Sequence, residues 1–497
     1  MVSNKKSSET TYALILGYLS ICGWVPRVAL NLMPQSRQTI SEAVAKLEST
    51  EMIASRGNRS NKLYRLLKGG GDFLTEINPI RHGLTVEENL SKRVRHESDK
   101  VRLDGLRSVI SIMSALAGYA VHPHDKPELS MISAAQRRED AVSPSPVKPV
   151  YAAPPIPSEP NSIHNYADYR YRPIHPWDAL TVEDTNEYRV HSSPIGCFYS
   201  RREILDEIAT GTSSGRKLNP GIQGVQGSSI AGALFTGSGA YKVYHTENTA
   251  PRISLVPDAN MTNSLGGWAG IFYQCSLEEI HLYKHNRHLR GSILLGDSSY
   301  RAAISVVMET LRKKHNGKMR ARKNPGTNFN LVDVPQTFYL PYIREALPVY
   351  SAMIYPQFEL ALRNIADSYR LIATDQIWTP VHNLSGCFDA IAEDGRDIAC
   401  VFPLKLDRIL EMIERAKNNG IIIYCPEYEV VFYNRLFELL DEGISARFEV
   451  RTVPQDFIEK FYIGELQMLL SYDGPYPCDE ENRWTLLARK RQFKLGG

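Results

Sequence analysis

Nine prolines crowd the stretch between Ala141 and Pro176: Pro144, Pro146, Pro149, Pro154, Pro155, Pro157, Pro160, Pro173 and Pro176. Each lacks an amide hydrogen and has its φ held by the ring, so such a run can neither continue a helix nor enter the interior of a sheet. It therefore divides the chain, and residues 137–165 are expected to form an extended, semi-rigid linker that tethers an N-terminal part to a larger C-terminal body. At 497 residues the chain is also too long for one ordinary core, and about three domains are expected.

A composition of 43% hydrophobic and 23% charged residues suits a soluble globular protein able to bury a sizeable core. The N-terminus shows no secretory signal pattern, and no run reaches the length needed to span a bilayer, so a cytoplasmic protein with no membrane partner is expected. The cysteines Cys22, Cys197, Cys275, Cys387, Cys400, Cys425 and Cys478 form no C-x-x-C pair, which points to free thiols in a reducing compartment. No histidine falls beside them at a zinc-finger spacing, and neither a metal nor a cofactor is expected.

Charge is unevenly distributed. Residues 1–70 carry ten Lys and Arg against four Glu, a net charge of +6, while the whole chain carries only +3. Attraction for a polyanion is thus concentrated at one end. Within that end, Tyr12, Ile15, Leu16 and Leu19 repeat at helical spacing, and a short helix is expected over about 25–32, closed by Met33 and Pro34. A third helix starts after Ser36, a good N-cap, and buries Ile40, Val44 and Leu47 on one face. Its outer face presents Arg37, Gln38 and Ser41, side chains suited to base edges and phosphates. Residues 53–66 then read as a β-hairpin with a cationic tip carrying Arg56, Arg59 and Lys62. Three helices followed by a basic hairpin are the pattern of a winged helix-turn-helix domain, expected over residues 1–70, with duplex DNA as the partner.

Residues 84–136 read as a helical connector. Its first half is charged, and its second half, with Leu106, Val109, Ile110, Ile112, Met113 and Leu116, needs an apolar partner. That partner is either the core of the next domain or the seam of a homodimer, and no heptad is sustained long enough to choose.

Beyond the linker, short β-branched and aromatic runs alternate with helices, an α+β signature expected as a first half over 166–350 and a second over 351–497. Two units within about 190–345 and 380–465 look alike. Each has a hairpin, at 232–244 in one and 387–402 in the other, then a strand-helix unit starting at Ser292 or Ile421. A V-P-Q segment follows in each, Val334-Pro335-Gln336 and Val453-Pro454-Gln455, so a duplicated body is expected. The first half also carries a basic loop, with Arg312, Lys313, Lys314, Lys318, Arg320, Arg322 and Lys323 and no acidic side chain, a second expected footprint for a phosphate backbone.

Catalytic templates fit poorly. His122-Pro123-His124 has the spacing of a paired-imidazole metal motif, but proline would disrupt a central strand, so a loop is expected. A restriction-type nuclease core needs an acidic residue two positions before a lysine; Pro403 stands there relative to Lys405, and Asp258 has no such partner. No glycine-rich loop ends in the G-K-[ST] of a phosphate-binding loop.

The N-terminal pattern, the Phe198-Tyr199-Ser200-Arg201-Arg202-Glu203-Ile204 segment and the hairpin strand Tyr241-Lys242-Val243-Tyr244 resemble the replication-relaxation proteins of Gram-positive plasmids and integrative conjugative elements. The resemblance implies binding at an origin in support of replication or mobilisation, with replication or mobilisation proteins as further partners. The expected function is sequence-specific binding of double-stranded DNA. A divergent nuclease or nicking enzyme, and a transcriptional regulator with a sensing body, are the alternatives.

Overall fold

Apolar residues at helical spacing open the structure, a computed structural model that describes residues 2–57, 62–91, 98–126, 197–204, 230–236, 239–246, 289–315, 331, 337–353, 378–380 and 388–458. Helix α1 (Val2–Cys22) buries Ile15, Leu16 and Leu19 completely. It is followed by β1 (Trp24–Pro26), α2 (Arg27–Leu30), α3 (Arg37–Ser49), β2 (Ile53–Arg56) and β3 (Leu63–Leu66). The three strands form an antiparallel sheet in the order β1-β3-β2, with Val25 opposite Tyr64 and Ser55 opposite Tyr64 on the other side. The second helix is shorter than its sequence pattern suggests because Trp24–Pro26 pairs with β3 instead of turning into the helix.

Packing does not stop at residue 70. Helices α4 (Lys68–Ile77), α5 (Pro79–Ser91) and α6 (Ser98–Leu116) follow, and Leu74, Val86, Val109, Ile110, Ile112 and Met113 share one apolar cluster with α1 and α3. Among the described residues the connector contains two α-helices, α5 and α6. Its apolar half finds its partner within the chain, since the same cluster continues into Phe198, Tyr241, Val243 and Tyr350 of the body. Burying each of these large side chains contributes about 2 kcal/mol relative to exposure, enough to make α6 a shared wall between the two parts. The expected linker, 137–165, lies outside the described residues, but direct contacts join the parts it separates in sequence. Ser114 and the Tyr350 hydroxyl are 2.8 Å apart, and the Tyr119 hydroxyl donates to the Tyr350 carbonyl at 3.0 Å.

Among the described residues the body holds two sheets. The first contains β4 (Phe198–Ser200), β5 (Ile230–Thr236), β6 (Gly239–His245), β7 (Leu289–Gly296) and β8 (Thr337–Pro341). From β4 to β8 the pairings run antiparallel, antiparallel, parallel, parallel. Helix α7 (Arg301–His315) makes the crossover from β7 to β8, and α8 (Leu347–Ala352) follows a 3₁₀ turn at Arg344–Ala346. The second sheet contains β9 (Trp378–Pro380), β10 (Ala390–Ala392), β11 (Asp397–Cys400), β13 (Ile421–Pro426) and β14 (Phe448–Val453), and it repeats that series of pairings. Between β11 and β13 lie β12 (Leu404–Lys405) and helix α9 (Leu406–Ala416); α10 (Val430–Phe437) and α11 (Glu442–Ser445) precede β14. Strand β12 leaves its own unit to pair antiparallel with β8, Leu404 opposite Tyr339, and so completes a six-stranded first sheet in the order β12-β8-β7-β6-β5-β4.

Period-two alternation assigns the faces. Tyr241, Val243, Ile293, Leu295, Phe338 and Leu340 join the cluster shared with α6, whereas Tyr244, Leu294 and Tyr339 face a second cluster with residues of α7, α9 and α10. Helix α9 is strongly amphipathic and buries Ile409, Leu410, Met412 and Ile413 there. The described residues form a mixed α and β structure with three sheets.

Val334-Pro335-Gln336 lies outside the described residues and precedes β8, whereas Val453 closes β14 and Pro454 and Gln455 follow it.

Candidate nucleic-acid interface

The first turn of α3 is organised from Ser36. Its backbone is extended and its hydroxyl accepts from the Thr39 amide at 3.1 Å, satisfying one of the orphan N–H groups that open a helix. With Ile40, Ala43, Val44 and Leu47 buried, the opposite face is forced outward. Arg37, Gln38 and Ser41 are all exposed on it, as the helical period requires. Gln38 donates to Glu42 at 2.9 Å, and Ser41 donates to the Arg37 carbonyl at 2.7 Å. Exposed pairs of this kind are worth only a few tenths of a kcal/mol, so an incoming partner can replace them.

The structure adds a cation to this face. Arg27, at the start of α2, donates through Nη2 to the Ser41 hydroxyl, which places a guanidinium against the first turn of α3. Nothing in local spacing marks Arg27, because the contact crosses from one helix to the next.

Strands β2 and β3 lie beside α3. Arg56 is exposed at the end of β2, and Gly57 follows with φ +98°, a conformation that favours glycine. Arg59 lies outside the described residues. Lys62 is tied to Glu48 of α3, with Nζ 2.9 and 3.0 Å from the two carboxylate oxygens, and it also sits 5.3 Å from the centre of the Tyr64 ring. Partial burial opposes ionisation of Glu48, but hydrogen bonds from Ser55 and Lys62 and the charge of Lys62 outweigh it and hold the carboxyl below its ordinary range. Lys62 is thus a strut between hairpin and helix as well as a surface cation.

The second expected footprint is placed differently from its reading as a loop. Arg312, Lys313 and Lys314 belong to α7, and Arg312 is exposed; Lys318, Arg320, Arg322 and Lys323 lie outside the described residues. The helix persists through the cations because Val306, Val307 and Thr310 are buried and hold its inner face. Thr310 donates to the Val306 carbonyl at 2.7 Å and accepts from the Leu331 amide at 3.2 Å. Cations at the C-terminal end of a helix are also favoured by its partial negative charge.

The residues tested against catalytic templates have structural surroundings. His122 caps a 3₁₀ turn at Pro123–Asp125, its Nδ1 accepting from the His124 amide at 3.1 Å, so the motif is a turn and not a strand. Burial, Arg81, His82, His124 and Lys126 push the His122 imidazole well below its ordinary range. The neighbouring His82 is lowered to about 4, by burial first and then by Arg81 and His124. In the second sheet, Asp389 accepts from Arg408 at 2.6 Å and from the Cys400 amide at 2.7 Å; Asp397 accepts from Arg415 at 2.7 Å and Asn419 at 3.0 Å. Lys405 lies 5.7 Å from the centre of the Phe338 ring. Among the described residues, no three His, Cys, Asp or Glu side chains come together as a metal site, Cys22, Cys197, Cys400 and Cys425 are free thiols, and no helix is long and apolar enough to cross a membrane. Asp258 lies outside the described residues.

Comparison with family models, with curated proteins and with solved structures finds no match to this chain.

Proposed function

We propose that this protein binds double-stranded DNA through its N-terminal part, and that this part works as a winged helix: α3 enters the major groove and the hairpin β2–β3 lies along the backbone. The carrying observation is the outer face of α3, where Arg37, Gln38 and Ser41 stand exposed at the capped end of the helix with the Arg27 guanidinium against them. Arginine and glutamine can each read a base edge through paired hydrogen bonds, and the N-terminal turn of a helix favours a nearby phosphate. The net charge of +6 over residues 1–70 supports the same partner.

The body is proposed to be two related halves, supported by their shared series of strand pairings and by the helix that follows the fourth strand of each, α7 after β7 and α10 after β13. Together with the resemblance to replication-relaxation proteins, this favours a role at the origin of a plasmid or integrative element, with replication or mobilisation proteins as further partners and sequence-specific binding as the activity.

Selection of bound fragments from a random duplex pool with the full chain, followed by titration at two salt concentrations, tests the proposal. A preferred site and a salt-dependent affinity are expected, and Arg37→Ala should weaken binding to that site by about ten- to a hundredfold, the range for losing a base-reading arginine. A folded chain with no salt-sensitive affinity for any duplex would end it.

A further inference from the structure

The turn between α2 and α3 is held from the far side of the sequence. Arg344, in the 3₁₀ turn after β8, donates through Nε to the Asn31 carbonyl at 3.0 Å and through Nη2 to the Gln35 carbonyl at 2.9 Å. Asn31 is the C-cap of α2, and Gln35 immediately precedes Ser36, the N-cap of α3. One rigid guanidinium therefore spans both ends of the turn that sets the relation of the two helices. A lysine offers a point charge and could not fix two carbonyls in this fork.

The turn carrying Arg344 is itself anchored on two sides. Gln455, just past β14 of the second sheet, donates to the Glu345 carbonyl at 3.1 Å. Tyr350 of α8 is fully buried and bonded to the connector at Ser114. Arg344 also lies within electrostatic reach of Arg37. Two cations held near each other are relieved by an anion, so a phosphate arriving at the N-terminal end of α3 would favour the clamped arrangement.

We infer that Arg344 is a positioning residue for DNA recognition, through which the C-terminal body sets the pose of α3 on the duplex. The inference rests on the proposed DNA-binding function. This turn ties both sheets to the segment between α2 and α3, so a partner that shifts the Gln455–Glu345 contact would alter DNA selectivity without touching DNA.

The test uses full-length wild type, Arg344→Ala, Arg344→Lys and Gln455→Ala, with a duplex carrying the selected site and a scrambled duplex of equal length. Without DNA, amide exchange over residues 31–38 should accelerate by about tenfold or more in both Arg344 variants, as loss of a charged hydrogen bond implies. With DNA, preference for the selected site should fall by about tenfold while the slope of log affinity against log salt is retained. Gln455→Ala should move both readouts in the same direction by less. A slope reduced by about one would make Arg344 a direct phosphate contact and overturn the posing role. Unchanged exchange, or faster exchange with unchanged preference, would overturn it too. Should wild type bind no duplex, the DNA reading itself fails; should wild type bind and the variants behave like it, only this inference fails.

Discussion

Replacing Lys126 with methionine should loosen the joint between the N-terminal part and the body, and the cost can be worked from its contacts. The Lys126 side chain is 2% exposed, and its ammonium donates to the Val121 carbonyl at 2.9 Å and the Phe198 carbonyl at 2.7 Å. It also lies 2.7 Å from Glu203 and 4.7 Å from the centre of the Tyr199 ring. Methionine keeps most of the aliphatic stem, so the loss is of charge and hydrogen bonds rather than volume. Glu203 is 29% exposed and retains the Ser200 amide and hydroxyl at 2.8 and 2.9 Å, so its own share is small after solvent screening. The two carbonyls have no such refuge, and each buried acceptor left without a partner costs about 1–3 kcal/mol. Relief from burying an ammonium offsets part of this, leaving a net loss of about 3 kcal/mol, at the lower edge of the range for breaking a buried ion pair. Urea unfolding of wild type and Lys126→Met measures it. Amide exchange should rise first at Phe198, which donates to the Ala120 carbonyl at 2.9 Å, and at Phe235, which donates to the Cys197 carbonyl at 3.0 Å. A loss under about 1 kcal/mol would show that the carbonyls find other partners and would refute this accounting.

Two further perturbations have definite signs. Gly70 and Gly69 are neighbours in α4, yet a Cβ on Gly70 would stand 2.5 Å from the Met52 carbonyl oxygen and 2.9 Å from both Leu16 and Leu66, whereas one on Gly69 meets nothing closer than 3.5 Å. Gly69→Ala should stabilise the fold by up to about 1 kcal/mol through helix propensity, and Gly70→Ala should destabilise it by about 1–3 kcal/mol through overpacking; melting-temperature shifts of the same sign would contradict the packing. Glu429 is fully buried, and among the described residues no hydrogen bond of ordinary geometry reaches its two carboxyl oxygens. Burial raises its pKa well above the ordinary 4.5, with the Leu404 amide opposing. Below the unfolded-state pKa both states are protonated and nothing is lost; as pH rises through it the unfolded chain releases a proton that the folded chain retains, so stability falls by about 1.4 kcal/mol per pH unit until the folded group ionises. Glu429→Gln should flatten this decline as pH rises above the unfolded-state pKa, measured as the shift in urea midpoint, and a variant with the wild-type pH dependence would rule the mechanism out.

Local chemistry made several elements legible. The Ser36 cap and the spacing of Ile40, Val44 and Leu47 locate α3 and turn Arg37, Gln38 and Ser41 outward, because helical period and capping act within a few residues. The hairpin at 230–245 and the strand-helix units at Leu289–His315 and Ile421–Phe437 are equally visible, since alternation and turn residues are short-range signals. Partner choice is not such a signal. Strand β1 is only three residues long and is defined by pairing with β3. Strand β12 joins the other unit's sheet, and α6 buries its apolar half against the body rather than against a second chain. The clamp from Arg344 to Asn31 and Gln35 spans 313 and 309 residues of sequence. Periodicity along the chain determined which faces must be buried; which surface covers each of them was decided only by tertiary packing, because apolar burial is non-directional and many long-range pairings satisfy the same pattern.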